Sequence, residues 1–479
     1  MFEVVIIGGG ITGLSAAWEI QQSRPKTRYA LLEASDRWGG KIVSQAITAA
    51  GKPFLADGGP DTLVTRKPET WALTSELGLE SQIALPASET KNIYVLDGGQ
   101  IHPIPLNPAL FFTTRLLTWP GRLRLMAEPF QPARRDDGDE SLADFVTRRL
   151  GREALEKFIG PVLGGIYNTD PNQQSLLVSS PVMREMEKES GSLVLAALRR
   201  GFKRKTGPKK PSFINFAQGM EQLPATLAAQ LTGTLRLGAR AVQITRTAAG
   251  FAVQLASGET LEAATVILAT LANVSAALIA DLAPETAARL REIRHENIGT
   301  LSLVYCESDL PAEPVINGLM IPRREKRAID AITVTSRKMP ERAQPGYVLL
   351  RVFFGGARPE LVSLAEDELL QAVTAELQEL LKIQAAPLGH ALFRWEAGFP
   401  QAAVGHLERV DALEATLPQS LYLAGSSYRG IAVPDCIKQG RAAARQALHT
   451  LAADQGLEIE PGKPEPAFIS EEKYAAHAQ

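Results

Sequence analysis

Apolar residues in this chain alternate between unbroken runs and helical spacings from the first residues onward. Phe2-Glu3-Val4-Val5-Ile6-Ile7 is a run with one polar interruption, the pattern of a strand buried on both faces. A helical spacing follows over 14–20, and Tyr29-Ala30-Leu31-Leu32 is a second short run. Residues 265–269 read as another buried strand, followed by a turn and a helix. The stretch to Ala280 is broken by Thr270, Asn273 and Ser275 and falls short of the ~20 apolar residues a membrane span needs. Residues 238–244 and 251–255 alternate like half-buried strands, and 301–306 and 347–354 read as further strands. Apolar spacing over 361–381 predicts a helix. Leu421-Tyr422-Leu423-Ala424-Gly425 predicts a strand, 426–430 a loop, and 431–435 the opening of a helix that runs through Arg441 and Ala444.

Strands alternating with helices predict an α/β fold. The pattern divides it into interleaved parts. Residues 1–75, 212–275 and 395–455 are expected to form one discontinuous nucleotide-binding domain. Residues 85–205, entered through Pro103, Pro105 and Pro108, read as a helix-rich lobe, and 276–394 as a substrate domain. The polar stretch 457–479, with three prolines, reads as a mobile tail.

The turn after the first strand is Gly8-Gly9-Gly10-Ile11-Thr12-Gly13. It follows a strand, opens a helix, and has Glu33 twenty residues on, at the end of the next run. That context makes the glycines a dinucleotide fingerprint of the Rossmann type. Gly8 permits the tight turn, Gly10 lets the backbone approach a pyrophosphate at the positive helix end, and Gly13 lets helix and strand pack. Glu33, followed by Ala34, suits a ribose hydroxyl pair.

Two more turns favour FAD over NAD. Arg37-Trp38-Gly39-Gly40-Lys41 places paired glycines beside a cation, suited to the flank of a long extended cofactor. Asp57-Gly58-Gly59-Pro60-Asp61-Thr62 is a rigid turn that can lay backbone amides against a flat ring. Each taken alone also reads as a surface turn. Ile431-Ala432-Val433-Pro434-Asp435 then presents a helix N-terminus, with Pro434 in the first turn where its missing N–H is harmless. Free amides there would stabilise negative charge on a reduced flavin.

Composition sets limits. At 479 residues there is room for two or three domains and a large core, and a net charge of −2 gives no bulk attraction to nucleic acid. Two cysteines, Cys306 and Cys436, do not make a disulfide framework. A strand starting at residue 2 leaves no space for a cleaved signal, so a cytoplasmic protein is expected, with peripheral membrane contact through another surface left open. No zinc spacing, Ser-His-Asp order or carboxylate pair stands out, so no metal site and no catalytic side chain is named. The six histidines are scattered, with His102 and His406 in otherwise distinctive segments. The basic run 199–205 with Lys209-Lys210 reads as a solvated inter-domain loop or, alternatively, as a dock for an anionic surface or substrate carboxylates.

Taken together, these segments resemble the FAD-containing porphyrinogen oxidases of haem biosynthesis, that is, the coproporphyrinogen III oxidase and protoporphyrinogen oxidase family. The resemblance runs through Trp38-Gly39-Gly40-Lys41-Ile42, Gly59-Pro60-Asp61-Thr62 with Arg66-Lys67, and Pro161 to Tyr167 with Asp170-Pro171. It continues through Gly219-Met220, Leu223-Pro224, Phe399-Pro400-Gln401 and Gly405-His406. The most distinctive piece is Ala424-Gly425-Ser426-Ser427-Tyr428-Arg429-Gly430 leading to Pro434-Asp435-Cys436-Ile437. Amine oxidases and carotenoid desaturases share the fingerprint but usually carry an acid directly after the Ala-Gly, where Ser426 stands. Two departures from the family are Asp57, where many relatives have Glu, and Lys91, where some have an arginine near 93–94.

The resemblance implies the flavin amine oxidase superfamily fold and non-covalent FAD held by Gly8 to Gly13, Glu33, Ala34, Lys41, Gly59 to Thr62 and Ile431 to Val433. It places Val242 at the adenine end and Trp395 beside the flavin. An ordinary strand valine and a core tryptophan are the alternatives. It places Lys67 near the isoalloxazine, where it would meet a substrate propionate or else be an exposed turn lysine. The implied reaction removes six electrons from a porphyrinogen, with dioxygen as acceptor and hydrogen peroxide as product. The implied partners are the porphyrinogen and a downstream enzyme of the haem pathway. Either porphyrinogen fits this reading. An amine oxidase or desaturase activity, and a non-catalytic FAD-bound binding protein, are the other readings.

Overall fold

The structure is a computed structural model, and it describes residues 1–87, 92–105, 114–202, 211–312 and 314–454. The tail, the basic residues 203–210 and Lys91 lie outside that set.

The first strand, β1 (Phe2–Ile7), and the second, β2 (Tyr29–Leu32), pair in parallel across the helix α1 (Ile11–Ser23). On its other side β1 pairs in parallel with Thr260–Leu268. That long strand forks. Its first half is antiparallel to Gly250–Leu255, and its last three residues run parallel to Leu421–Leu423. The unbroken apolar run of β1 has a direct cause. Val4 and Ile6 enter one core, with α1 and the helix Val433–Asp454. Val5 and Ile7 enter another on the opposite face of the sheet. A strand covered on both faces has no polar side to show.

A second seven-stranded sheet contains the strands His295–Cys306, Tyr347–Phe354 and Gly389–Pro400. Helix Glu366–Leu381 covers one of its faces through Leu369, Val373, Leu377 and Leu381. The expected helix over 361–381 is thus shorter at its start. Residues Pro359–Ser363 form a single 3₁₀ turn, and the helix proper begins at the acidic triplet Glu366-Asp367-Glu368, which suits a positive helix end.

Residues 114–202 are mainly helical, whereas the strands Ile93–Asp97 and Gln100–Pro103 just before them belong to the second sheet. A fully buried ion pair, Arg149 with Glu128, organises this lobe. Arg149 Nε donates to Glu128 Oε1 at 2.9 Å, and the same carboxylate accepts the backbone N–H groups of Leu193 and Val194. Burying two charges is tolerable only with such full satisfaction. On the outside of the lobe, helix Trp119–Met126 and the turn after it expose Trp119 (72%) and Phe130 (87%) beside Leu123 and Met126.

Candidate functional site

One continuous cavity of about 2600 Å³ runs from the glycine turn after β1 to the second sheet. Pockets for a single small molecule are typically ~300–1,000 Å³, so this one has room for an extended dinucleotide and a second ligand. Most of the residues singled out in the sequence meet on its wall: Gly8, Gly10, Ile11, Thr12, Glu33 and Ala34 around the glycine turn, then Lys41, whose carbonyl lies against Gly59, and beyond it Gly59 to Thr62, Lys67, Trp395 and Ile431 to Val433.

Two of the fingerprint glycines stand behind the wall. A Cβ on Gly13 would overlap the Gly8 carbonyl oxygen, so its role is helix-to-turn packing. Gly9 packs under the Trp38 ring and donates its N–H to Glu33 Oε2 at 2.7 Å. Gly10 is different. A Cβ there would have its nearest neighbour, Gly40 Cα, 4.0 Å away, so the space in front of it is open cavity. Glu33 Oε1 accepts the backbone N–H and hydroxyl of Ser35, each at 2.8 Å. Each carboxylate oxygen has two acceptor positions, so three of the four are taken, the side chain is held in place, and one position on Oε2 is left for a ribose hydroxyl. Val242 sits at a β-bulge. The register of Ala241–Thr247 against Gly250–Leu255 slips between Ala241 and Gln243. A bulged residue is left out of the ladder, and Val242 lines the cavity, 43% exposed.

The turn 57–62 is clamped from behind. Asp57 accepts from Ser44 Oγ at 2.5 Å, Met220 N at 2.9 Å and Asn215 Nδ2 at 2.9 Å, so it is an anchor and not a ligand group. Arg351 donates to the Gly59 carbonyl at 2.5 Å, while Thr300 Oγ1 and Trp395 Nε1 donate to the Gly58 carbonyl at 3.0 and 3.3 Å. Lys338 Nζ reaches both Asp61 oxygens at 2.9 Å. Burial works to raise the Asp61 carboxyl, but Lys338 and Arg351 outweigh it and hold the group at about 2. Its charge is therefore spent on fixing the turn. Gly59 admits no side chain, since a Cβ would overlap the Lys41 carbonyl.

Lys41 donates to the Gly398 carbonyl, and burial lowers its ammonium to about 8. His295 lies close by, held neutral by burial and by the Lys41 charge, with its ring at about 4 and Nε2 3.1 Å from Ser427 Oγ. Helix Val433–Asp454 starts two residues later than expected, because Gly430 at φ +120° turns the chain and leaves Ile431 and Ala432 in front of the helix. In its first turn Asp435 forms an ion pair with Lys67. Lys67 is thus already partnered, unlike the free cation the sequence suggested. Cys436 is buried, and that burial pushes its thiol up to about 11, far from a reactive thiolate.

Arg351, Lys338 and Asn215 hold the site together without any local motif, and Ser427 stands in a distinctive segment that does not reveal its contact with His295. Arg351 was hidden inside an apolar strand, where a lone charge is the one available signal of a buried role.

A family model described as flavin containing amine oxidoreductase matches residues 11–448. The chain belongs to this family. It is 31% identical over 466 residues to the coproporphyrinogen III oxidase of Bacillus subtilis (strain 168), covering 93% of this chain and 97% of that one. It is 27% identical to the chloroplastic protoporphyrinogen oxidase 1 of Arabidopsis thaliana over 91% of this chain and 86% of that one. Among solved structures, a proposed protoporphyrinogen oxidase of Exiguobacterium sp. 255-15 superposes with a TM-score of 0.81 at 27% identity. That match covers 94% of this chain and 99% of the other. The family is one of flavin-containing oxidoreductases, and the superfamily fold expected from the sequence is the fold observed.

Proposed function

We propose that this protein is an FAD-dependent porphyrinogen oxidase that converts coproporphyrinogen III to coproporphyrin III, with dioxygen as acceptor. The observation that carries the reading is the single cavity that joins a dinucleotide cradle to the wall of the second sheet, with the clamped turn 57–62 between them. The relatives favour coproporphyrinogen III. Three relatives named coproporphyrinogen III oxidase are 29–31% identical to the chain, and those named protoporphyrinogen oxidase are 26–27% identical.

In this reading residues 1–75 and 212–275 and the chain from Gln401 to Asp454 make the FAD domain, whereas Trp395 to Pro400, expected in it from the sequence, run in the strand Gly389–Pro400 of the second sheet. Gly8, Gly10, Ile11 and Thr12 face the pyrophosphate, with Lys41 as its counter-charge. Glu33 and Ala34 meet the adenosine ribose, and the bulged backbone of Val242 meets the adenine. Gly59 to Thr62, Trp395 and Ile431 to Val433 surround the ring. The open space before Gly10 and the one unused acceptor position of Glu33 fit such a ligand. The inert thiol of Cys436 fits non-covalent attachment. Bound there, the isoalloxazine supplies two-electron chemistry from a carbon–hydrogen donor to dioxygen.

The chain's own contribution is geometry. Arg351, Thr300 and Trp395 fix the carbonyls of the ring-side turn, and His295 stays neutral, so it brings no competing charge. The porphyrinogen loses six hydrogens in three two-electron steps, and three dioxygen molecules become three hydrogen peroxide molecules. We place the protein in the cytoplasm. The exposed face of Trp119, Leu123, Met126 and Phe130 supports peripheral contact with a membrane, because Trp beside aliphatic side chains suits the interface. Among the described residues no helix is long and apolar enough to cross one.

The test is anaerobic mixing of the purified yellow protein with coproporphyrinogen III. Rapid flavin bleaching is expected, and readmitted air should yield peroxide and porphyrin at three to one. A flavin that no porphyrinogen reduces would overturn the proposal.

A further inference from the structure

Oxidation of an anionic tetrapyrrole calls for a cation that is free to receive a carboxylate, and the basic residues at the ring end of the cavity can be sorted by what already holds them. Lys67 is paired with Asp435 and Lys338 with Asp61. Arg351 is spent on the Gly59 carbonyl and Asp61. Arg323 donates to the backbone and side-chain oxygens of Asn168 at 3.0 and 3.1 Å, and Arg324 to Asp97 at 2.8 Å. Arg66 remains. It lines the cavity, its side chain is exposed, and among the described residues it has no hydrogen-bond or ion-pair partner. Arg240, similarly free, lies beside Val242 at the opposite end.

The backbone that carries Arg66 is fixed on both sides. Leu63 and Val64 pair with Ile214 and Phe213. Thr65 N donates to the Ser212 carbonyl at 3.1 Å, and Trp71 Nε1 donates to the Thr65 carbonyl at 3.1 Å. Pro68 then opens the helix Pro68–Glu76, which sets the direction of the chain after Lys67. A rigid base with a free planar guanidinium is an arrangement suited to two-pronged carboxylate binding.

We propose that Arg66 receives a propionate of the porphyrinogen, and that it is the residue through which the enzyme recognises substrate carboxylates. The proposal rests on the porphyrinogen reading above.

The experiment uses the FAD-loaded full chain and the variants Arg66→Gln, Arg66→Lys and Lys67→Gln. Each is checked first for flavin content and melting temperature, which an exposed Arg66 should not control. Two quantities are read: kcat and KM for coproporphyrinogen III, and the dissociation constant of coproporphyrin III against its tetramethyl ester, which lacks the carboxylates. Arg66→Gln is expected to raise KM and weaken acid binding about tenfold, the scale of one lost charge-assisted contact. Its kcat should stay within about twofold and ester binding should not change. Arg66→Lys should recover part of the loss. An unchanged KM in Arg66→Gln, equal losses for acid and ester, or a KM effect confined to Lys67→Gln would each overturn the assignment while leaving the oxidase reading intact. A wild-type protein that neither oxidises a porphyrinogen nor binds coproporphyrin III would overturn both.

Discussion

Lys67 and Asp435 form an ion pair across 368 positions of sequence, and it ties the end of the ring-side turn to the first turn of the helix Val433–Asp454. The pair therefore joins the two segments that flank the proposed flavin ring. Both side chains keep some exposure, 32% and 20%, so solvent screens the attraction. A double-mutant cycle with Lys67→Met and Asp435→Asn should show a coupling of about 0.5–1 kcal/mol in urea unfolding. Zero coupling would mean that the pair is not maintained in solution.

Glu33→Gln keeps an acceptor for the Gly9 N–H but removes the charge that faces the proposed ribose. FAD binding, followed by flavin fluorescence, should weaken by about 1–3 kcal/mol. An unchanged dissociation constant would remove Glu33 from the cofactor site.

With Lys41 as the proposed counter-charge of the diphosphate, the affinity for FAD is expected to depend on pH. Burial lowers the ammonium to about 8 in the protein without its cofactor. A diphosphate nearby favours the charged form, so binding raises that value. Affinity should be highest below pH 8 and should fall as pH rises through it, levelling off above the value reached in the complex. In Lys41→Met the same titration should be weaker and flat near pH 8. A pH-independent affinity in the wild-type protein would exclude Lys41 as the counter-charge.

Trp395→Phe removes one long hydrogen bond to the Gly58 carbonyl and alters the surface beside the proposed ring. Stability should drop by no more than about 1 kcal/mol, while the flavin absorbance shifts and flavin reduction slows. Collapse of the melting temperature with an unaltered spectrum would make Trp395 a packing residue.

The apolar face of the helical lobe is tested by sedimentation with anionic phospholipid vesicles. Trp119→Ser combined with Phe130→Ser should reduce vesicle binding several-fold with the porphyrinogen KM unchanged, since both side chains point away from the cavity into solvent. Equal binding of variant and wild type would leave the protein without this membrane contact.

The parts of the fold that were legible in the sequence are those in which burial on both faces writes itself as an apolar run. The strands Phe2–Ile7, Tyr29–Leu32 and Tyr347–Phe354 have the expected bounds. Strand Ala241–Thr247 begins three residues later than its alternation suggested, because Gly238 at φ +64° forms the preceding turn. The site was legible where backbone conformation demanded glycine. It was not legible where side chains meet across the fold. That Asp435 would occupy Lys67, that Lys338 would occupy Asp61, and that Asp57 would face inward are consequences of tertiary pairing, on which local pattern is silent. For the same reason nothing in the pair Arg66-Lys67 tells which of the two cations is left unpaired by the fold.

Gly440, in the helix Val433–Asp454, packs so closely on α1 that a Cβ would overlap the Thr12 carbonyl, and the strand before that helix completes the parallel sheet. Domains form largely from the N-terminus as a chain is synthesised, but this one cannot close that way. A nascent polypeptide that has reached residue 420 carries the glycine turn and Glu33, yet α1 still lacks its cover and the ring lacks one side of its pocket. Capture of the cofactor therefore belongs to the last moments of synthesis. Until then the side of α1 that this helix covers stays open to water, and a chain shortened before residue 433 should be recovered from cells as a colourless, protease-sensitive product.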